Sequence, residues 1–383
     1  MSGTPQCILL VDDDRDLADA LSCALERRGR TIVLCSDIES AEVVLSCYPV
    51  THLLTDIQFS GRFGFEGLSF VQRVHARSPQ CRVIAMTGLA TADLQEAVLQ
   101  NGASALLAKP FGGDELELAL DAAYDGSLHD DPQAPPCEVL RIPSIEELLR
   151  GDTLMPVFQP IVRLKQKGAT AFGYEALMRV RGRWLACGPL MLFDYASRCS
   201  KLAELNIVAM TRALHAATLL PEEASIFINI DPLAFDGREL VPALVTSARR
   251  ASLPLERIVV EITERSAFPD DLVAGRVFDE LHAFGVRFAL DDHGTAYSHL
   301  SLIDRIKPSF VKVSNSFGTN FENDPTKECI VRHTVSLAND FGCETILEGI
   351  ETPATARAAR DAGVTLAQGY HFGRPRAVQH WAG

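Results

Sequence analysis

From Met155 to Gln368 the sequence repeats one pattern: a short apolar run that stops at a polar residue, followed by a stretch of helical periodicity. The runs are MPVFQPIV, FGYEAL, SIFINI, RIVVEIT, VRFALDD, SFVKVS, ETILEG and VTLAQG, with segments such as LNIVAMTRALHAATLL and CIVRHTVSLANDFG between them. Apolar runs alternating with helices read as strands of a parallel sheet covered on both faces. Eight such strands in about 240 residues fit a TIM-like (β/α)8 barrel. This pattern constrains the fold of the second half more than any other feature.

Barrel strands aim their C-terminal ends at one mouth. The residues at those ends are Glu175, Asn229, Glu261, Asp291 with Asp292, Lys312, Glu348 and Gln368. Asp291 and Asp292 adjoin each other directly after an apolar run, where two negative charges repel and are costly to desolvate. Five carboxylates and an amide form an oxygen-donor set suited to two hard cations, Mg2+ or Mn2+. Such a pair can hold a water and a phosphoryl oxygen together for in-line displacement. Each residue alone has a plainer reading: Glu175 and Arg179 as an ion pair on a helix face, Asn229 as a turn former, Glu261 and Glu264 as solvated acids, Lys312 as a snorkelling side chain. Their common place at the strand ends favours a site.

Residues 7–123 alternate in the same way but stop after five strands, CILLVDDD, TIVLCS, THLLTDI, CRVIAMTG and ASALLAKPF, which implies a doubly wound (βα)5 sheet. Its strand ends bring Asp12, Asp13, Asp56, Thr87 and Lys109 to one edge, where sites form in open parallel sheets. A divalent cation there would offset the acids and leave Asp56 as a nucleophile towards a phosphoryl group.

Between the halves, residues 124–143 are rich in Asp, Pro and Gly and read as a linker. Ser144 and Glu147 then make a capping box at the head of a helix. The expected division is therefore 1–123, 124–143 and 144–383. The formal charge of −14 argues against a DNA-binding role. Ten cysteines without C-x-x-C spacing read as reduced thiols, not a disulfide framework or zinc site. No apolar run approaches the roughly 20 residues of a membrane span, and the N-terminus lacks the pattern of an export signal. A cytoplasmic location is expected.

Residues 7–123 resemble the response-regulator receiver domain through VDDD, LLTDI, AMTG and AKPF. The resemblance implies one Mg2+ held by the acids that include Asp12 and Asp13, phosphorylation of Asp56 by a sensor histidine kinase, and Thr87 and Lys109 as switch residues. Leu106 stands where the family commonly has a switch aromatic, and the loop after Asp56 reads as about three residues longer than usual.

Residues 145–383 resemble the EAL-domain cyclic di-GMP phosphodiesterases through FQPIV, EAL at Glu175–Leu177, INIDP, EITE, DDHGTAYS, LEGIET and QGYHFGRP. The resemblance implies metal binding by Glu175, Asn229, Glu261, Asp291 and Asp292, and a water handled by Lys312 and Glu348. It implies substrate contacts from Gln159 and Arg179, support of the site by Gln368, and bracing of the loop after Asp292 by Glu264. His293 and Ala296 replace the family's usual Phe and Gly, and Ser314 replaces an acid after Lys312. The expected activity is hydrolysis of cyclic di-GMP to linear pGpG in a phosphorylation-controlled homodimer. The alternative is a catalytically weak EAL domain that senses cyclic di-GMP or passes a signal to a protein partner.

Overall fold

The computed structural model describes residues 6–59, 66–121, 135–165, 169–181, 189–235, 238–263, 268, 271–293 and 300–382. The chain forms two compact units, one of residues 1–151 with 182–199, the other of 152–181 with 200–383. No described helix is long and apolar enough to cross a membrane. The nine described cysteines are free thiols.

In the first unit the expected strands are present as β1 Gln6–Val11, β2 Arg30–Cys35, β3 His52–Asp56, β4 Arg82–Thr87 and β5 Ala105–Ala108. They alternate with α1 Arg15–Leu25, α2 Ile38–Cys47, α3 Glu66–Arg77, α4 Ala92–Gln100 and α5 Gly113–Leu120. All pair in parallel. Ile8, Leu10, Leu54, Ile84 and Met86 pack with α1 and α5 side chains on one face. The alternate residues Leu9, Leu53, Val83 and Ala85 are equally buried, so the strands read as unbroken apolar runs.

The sheet has one strand more than expected. Glu138–Arg141, inside the expected linker, forms β6 and pairs in parallel with β2, giving the order β5-β4-β3-β1-β2-β6. An uncovered β2 edge would present unpaired backbone groups. β6 covers it and buries Leu140, with Ile142 buried just beyond. The short polar pattern of EVLR carries little strand signal, which is why the sequence read as a connector. The capping box at Ser144 is present: Ser144 Oγ accepts from the Glu147 amide at 3.3 Å, and Glu147 Oε2 accepts from the Ser144 amide at 3.0 Å. It opens α6, Ile145–Arg150, which lies in the 1–151 stretch of this compact unit. Helix α7, Pro189–Arg198, also belongs here. Tyr195 Oη donates to Asp37 Oδ2 at 2.8 Å, and Arg198 pairs with Glu42 of α2 at 2.5 Å.

The second unit is the expected eight-stranded closed barrel: β7 Leu154–Leu164, β8 Ala169–Val180, β9 Ser225–Asn229, β10 Ile258–Thr263, β11 Arg287–His293, β12 Phe310–Val313, β13 Glu344–Leu347 and β14 Leu366–Gln368. Around it lie α8 Leu202–Ala216, α9 Leu240–Arg250, α10 Asp271–Ala283, α11 Leu300–Ile306, α12 Asn315–Gly318, α13 Pro325–Asp340 and α14 Pro353–Asp361. One strand departs from an all-parallel TIM barrel: β7 runs antiparallel to both β8 and β14. Only four residues separate β7 from β8, too few for a parallel crossover.

The barrel interior is filled by one layer of side chains: Ile161, Phe227, Val259, Ala289, Phe310, Ile346 and Leu366, with Phe172 packed against them. Gly173 contributes no side chain, because a Cβ there would lie 2.5 Å from the Ser225 carbonyl oxygen and 3.1 Å from the Phe227 ring.

Candidate active site

Strand side chains alternate faces, so two residues beyond each member of that layer the next inward position occurs. Those positions are Glu175 after Gly173, Asn229 after Phe227, Glu261 after Val259, Asp291 after Ala289, Lys312 after Phe310, Glu348 after Ile346 and Gln368 after Leu366. The antiparallel β7 adds an eighth member from the other direction, since Gln159 is paired in register with Glu175. The expected strand-end residues thus form a single layer above the apolar floor.

Lys312 stands at the hub of this layer and is 1% exposed. Its Nζ lies 2.9 Å from Glu348 Oε1, 3.0 Å from Glu261 Oε1, 3.3 Å from Asp291 Oδ1 and 3.4 Å from Glu175 Oε2. Burial alone would lower its pKa, but the charges of Asp291, Glu175, Glu261 and Glu348 outweigh that and raise it well above the usual lysine value. Glu175 is held by amides: Asn229 Nδ2 donates to Oε1 at 2.9 Å and Gln368 Nε2 to Oε2 at 2.6 Å. Against the cost of burial, the Lys312 charge and these donors bring the Glu175 pKa below its usual value. Gln368 Nε2 also reaches Gln159 Oε1 at 3.2 Å, and Gln159 Nε2 donates to the Gly373 carbonyl at 3.1 Å.

Four carboxylates around one ammonium leave excess negative charge. It appears as a Glu261 pKa raised well above the usual range by burial and by the Glu175 charge, and a Glu348 pKa raised to about 7, chiefly by burial. Glu261 Oε1 meets the Lys312 ammonium at 3.0 Å, and burial leaves the Glu261 carboxylate short of hydrogen-bond donors among the described residues. A buried, oxygen-rich, under-satisfied donor set of this kind fits hard divalent cations.

The backbone departs from regularity where the two aspartates lie. The pairing of β11 with β12 shifts between Leu290 and His293, placing one extra residue on β11. A bulge breaks strict alternation and re-aims side chains. The Asp292 and His293 side chains, Glu264 and Ala296 lie outside the described residues.

A cavity of about 260 Å³ opens over the layer, lined by Gln159, Glu175, Leu177, Glu348 and Gln368 together with Asn315, Thr319, Glu351 and Tyr370. The last four were not expected as site residues. Glu351 and Tyr370 fall within the quoted motifs LEGIET and QGYHFGRP, which was the available signal. Asn315 and Thr319 arrive because Gly318 lets α12 close on the strand-end loop: a Cβ there would sit 1.6 Å from the Glu348 carbonyl oxygen. Arg179 does not line this cavity; its Nη1 donates to the Met178 carbonyl at 2.9 Å. Ser314 is buried at the head of α12.

In the first unit, Asp12, Asp13 and Asp56 place ligand oxygens within 4.8 Å of one another, a cluster able to hold a metal ion. Lys109 Nζ bridges Asp12 Oδ2 at 2.7 Å and Asp56 Oδ2 at 2.6 Å. Burial works to lower the Lys109 pKa, yet the two carboxylates prevail and raise it. Asp12 is shifted up by burial despite that partner. The buried Thr87 hydroxyl accepts from the Leu89 amide at 3.1 Å. Leu106 is half-buried on β5. Most of the loop read as lengthened, residues 60–65, lies outside the described residues.

Comparison with known proteins agrees with both halves. The response regulator receiver domain matches residues 8–121 and the EAL domain residues 143–375. The cyclic di-GMP phosphodiesterase RocR of Pseudomonas aeruginosa is 25% identical over 359 residues, covering 90% of this chain and 88% of RocR. The chain spans only 28–44% of the length of several other curated relatives. Among solved structures, the PaMucR phosphodiesterase in complex with c-di-GMP is 25% identical with a TM-score of 0.56, over 62% of this chain and 97% of that one. The manganese/cy-diGMP complex of Klebsiella pneumoniae BlrP1 is 27% identical with a TM-score of 0.53, over 59% and 57%. With its barrel, its ring of strand-end acids and a family match over most of its length, the chain belongs to the EAL domain family and carries a response regulator receiver domain ahead of the barrel.

Proposed function

We propose that the chain is a response regulator that hydrolyses cyclic di-GMP to linear pGpG, with its rate set by phosphorylation of Asp56. The observation that carries this reading is the single inward layer of Glu175, Asn229, Glu261, Asp291 and Glu348 around Lys312. The names of RocR and of the PaMucR complex support the choice of substrate. Glu175, Asn229, Glu261, Asp291 and Asp292 would hold two Mg2+ or Mn2+ ions, which when bound acidify a water and neutralise charge on the phosphoryl oxygens. Asn229 and Gln368 fix the Glu175 carboxylate by donating to its two oxygens. Lys312 and Glu348, 2.9 Å apart, orient the water; the Glu348 carboxylate takes its proton, and the ammonium stabilises charge on the reacting phosphate. Gln159 and Arg179 contact the dinucleotide, and Glu264 braces the loop after Asp292.

Purified protein incubated with cyclic di-GMP and Mg2+ or Mn2+ is expected to yield pGpG by chromatography, and Glu175→Ala to yield none above background. Absence of turnover by the wild type sinks the enzyme reading. Tight binding without turnover would instead select a cyclic di-GMP sensor, the outcome to which the His293 and Ala296 replacements point.

In the receiver, Asp12 and Asp13 would hold one Mg2+ beside Asp56, and a sensor histidine kinase would supply the phosphoryl group. Lys109 and Thr87 would read the modified Asp56, and the response would pass to the barrel in a homodimer. Asp56→Asn is expected to take up no phosphoryl group from a small phosphodonor on a phosphate-affinity gel. It should also abolish any rate change that beryllofluoride produces in the wild type. Beryllofluoride leaving wild-type kinetics unchanged would count against phosphorylation control.

A further inference from the structure

A second cavity, of about 430 Å³, lies on the outer wall of the barrel, between α14 and the far end of β7. Barrel topology opens it. In a (β/α)8 barrel each strand is followed by a helix that covers the outside, but after β14 the chain passes through the 3-10 turn Val378–His380. That segment is fastened at Phe158 of β7, whose amide donates to the Arg376 carbonyl at 2.7 Å and whose carbonyl accepts from Trp381 Nε1 at 2.8 Å. Leu164 lies six residues further along β7, roughly 20 Å by strand rise, and lines the cavity. Leu164, Ala356 and Phe372 pack on the apolar cluster of the outer wall and form the cavity's apolar side. The polar side has one sign. Pro353, Ala356, Arg357 and Arg360 stand at i, i+3, i+4 and i+7 of α14, a single helix face, which brings two guanidinium groups to the cavity. Lys165, just past the end of β7, adds an ammonium, and His371 a ring donor. No carboxylate lines the cavity among the described residues. Arg360 pairs with Asp361 Oδ1 at 2.8 Å, whereas neither Lys165 nor Arg357 has an acid partner among the described residues. In a chain of formal charge −14 this cavity is an exception, and walls of one sign concentrate ions of the other.

We propose that this cavity is a second ligand site, which takes a di- or triphosphate group on Arg357, Arg360 and Lys165 without help from a metal ion. The site stands apart from the hydrolysis reading: the mouth of the barrel is lined by Glu175, Glu348 and Glu351 and would need cations to receive a phosphate, while the outer wall supplies the positive charge itself. A guanidinium matches phosphate oxygens in pairs, and an ammonium serves as a point charge beside it. The volume falls in the range of about 300–1,000 Å³ of small-ligand sites. It admits an inorganic polyphosphate or the phosphate chain of a nucleotide, and the chemistry these share is the run of phosphates.

The test is titration calorimetry on the full chain in EDTA at low salt, with tripolyphosphate, ATP and adenosine as separate probes. Tripolyphosphate and ATP are expected to bind saturably at one site and adenosine not at all. Tighter binding of ATP than of tripolyphosphate identifies a nucleotide as the fitting source, and equal binding an inorganic chain. Lys165→Glu and Arg357→Glu are each expected to weaken both ligands on the order of 10- to 100-fold, the scale of a lost hydrogen bond to a charged group. Both side chains are exposed, and thermal melts check that the variants fold. Arg357→Lys keeps the charge and loses only the paired geometry, so it binds more tightly than Arg357→Glu. Arg250→Glu makes the same change of net charge at an exposed position in α9 and is expected to bind like the wild type. Absence of saturable binding by the wild type overturns the proposal. So does an affinity unmoved by Lys165→Glu and Arg357→Glu, and so does equal weakening by Arg250→Glu, which would assign the binding to the general field of the protein.

Discussion

Lys312→Met is expected to lower the stability of the metal-free protein by about 3–5 kcal/mol, the scale for removing one partner of a buried ion pair. It should also reduce hydrolysis on the order of 10²- to 10³-fold. The ammonium is 1% exposed and within 3.4 Å of carboxylates from four different strands or their ends. Without it Glu175, Glu261, Asp291 and Glu348 confront one another in a site with little solvent. Urea unfolding in EDTA measures the first effect. Added Mg2+ or Mn2+ is expected to narrow the stability gap, because a cation takes over the neutralisation, while the rate stays low. Equal metal-free stability of variant and wild type would refute the hub role.

Gly318→Ala is the second large effect. The added Cβ would lie 1.6 Å from the Glu348 carbonyl oxygen and 2.8 Å from its carbonyl carbon, and because both belong to backbone, the loop or α12 must move. Overpacking of this kind costs about 1–3 kcal/mol, and an error of about 1 Å in a catalytic group costs on the order of 10²-fold in rate. The surroundings offer no slack. Gly349 has φ +75° with a Cβ position 2.9 Å from the Asn315 carbonyl oxygen, and a Cβ at Gly369 would lie 2.1 Å from the Ile350 carbonyl oxygen. Gly275 in α10 has nothing within 4 Å of its Cβ position. Gly275→Ala is therefore expected to leave the rate unchanged and to raise stability by about 0.5–1 kcal/mol, which makes it the control for thermal melts and initial rates. A fully active Gly318→Ala variant would mean that Glu348 does not need its present position.

Much of the site was legible because strand alternation is a local rule. Once the apolar runs are recognised, the inward polar position on seven of the strands follows from chain spacing alone, which is how Glu175, Asn229, Glu261, Asp291, Lys312, Glu348 and Gln368 could be named together. The receiver pocket follows from the same logic at Asp12, Asp56 and Lys109. Gln159 is different: it joins the ring because β7 is antiparallel, and a register between strands is not written in either strand alone. Asn315 and Thr319 enter the mouth through a backbone approach at Gly318. The strand at Glu138–Arg141 was missed because its hydrogen bonds to β2 form it, not its own composition.

By itself, then, the sequence determined two α/β units, every strand of each but β6, and the polar residue that closes nearly every barrel strand, since these depend on periodicity along the chain. Tertiary structure alone decided that Lys312 stands among four carboxylates and that Glu175 is held by Asn229 and Gln368. It also decided that α7 is taken into the receiver unit and that paired Asp291 and Asp292 fall in a bulge. Each of these depends on distances between residues far apart in the chain, which closure of the barrel and packing of the sheet set and local pattern does not.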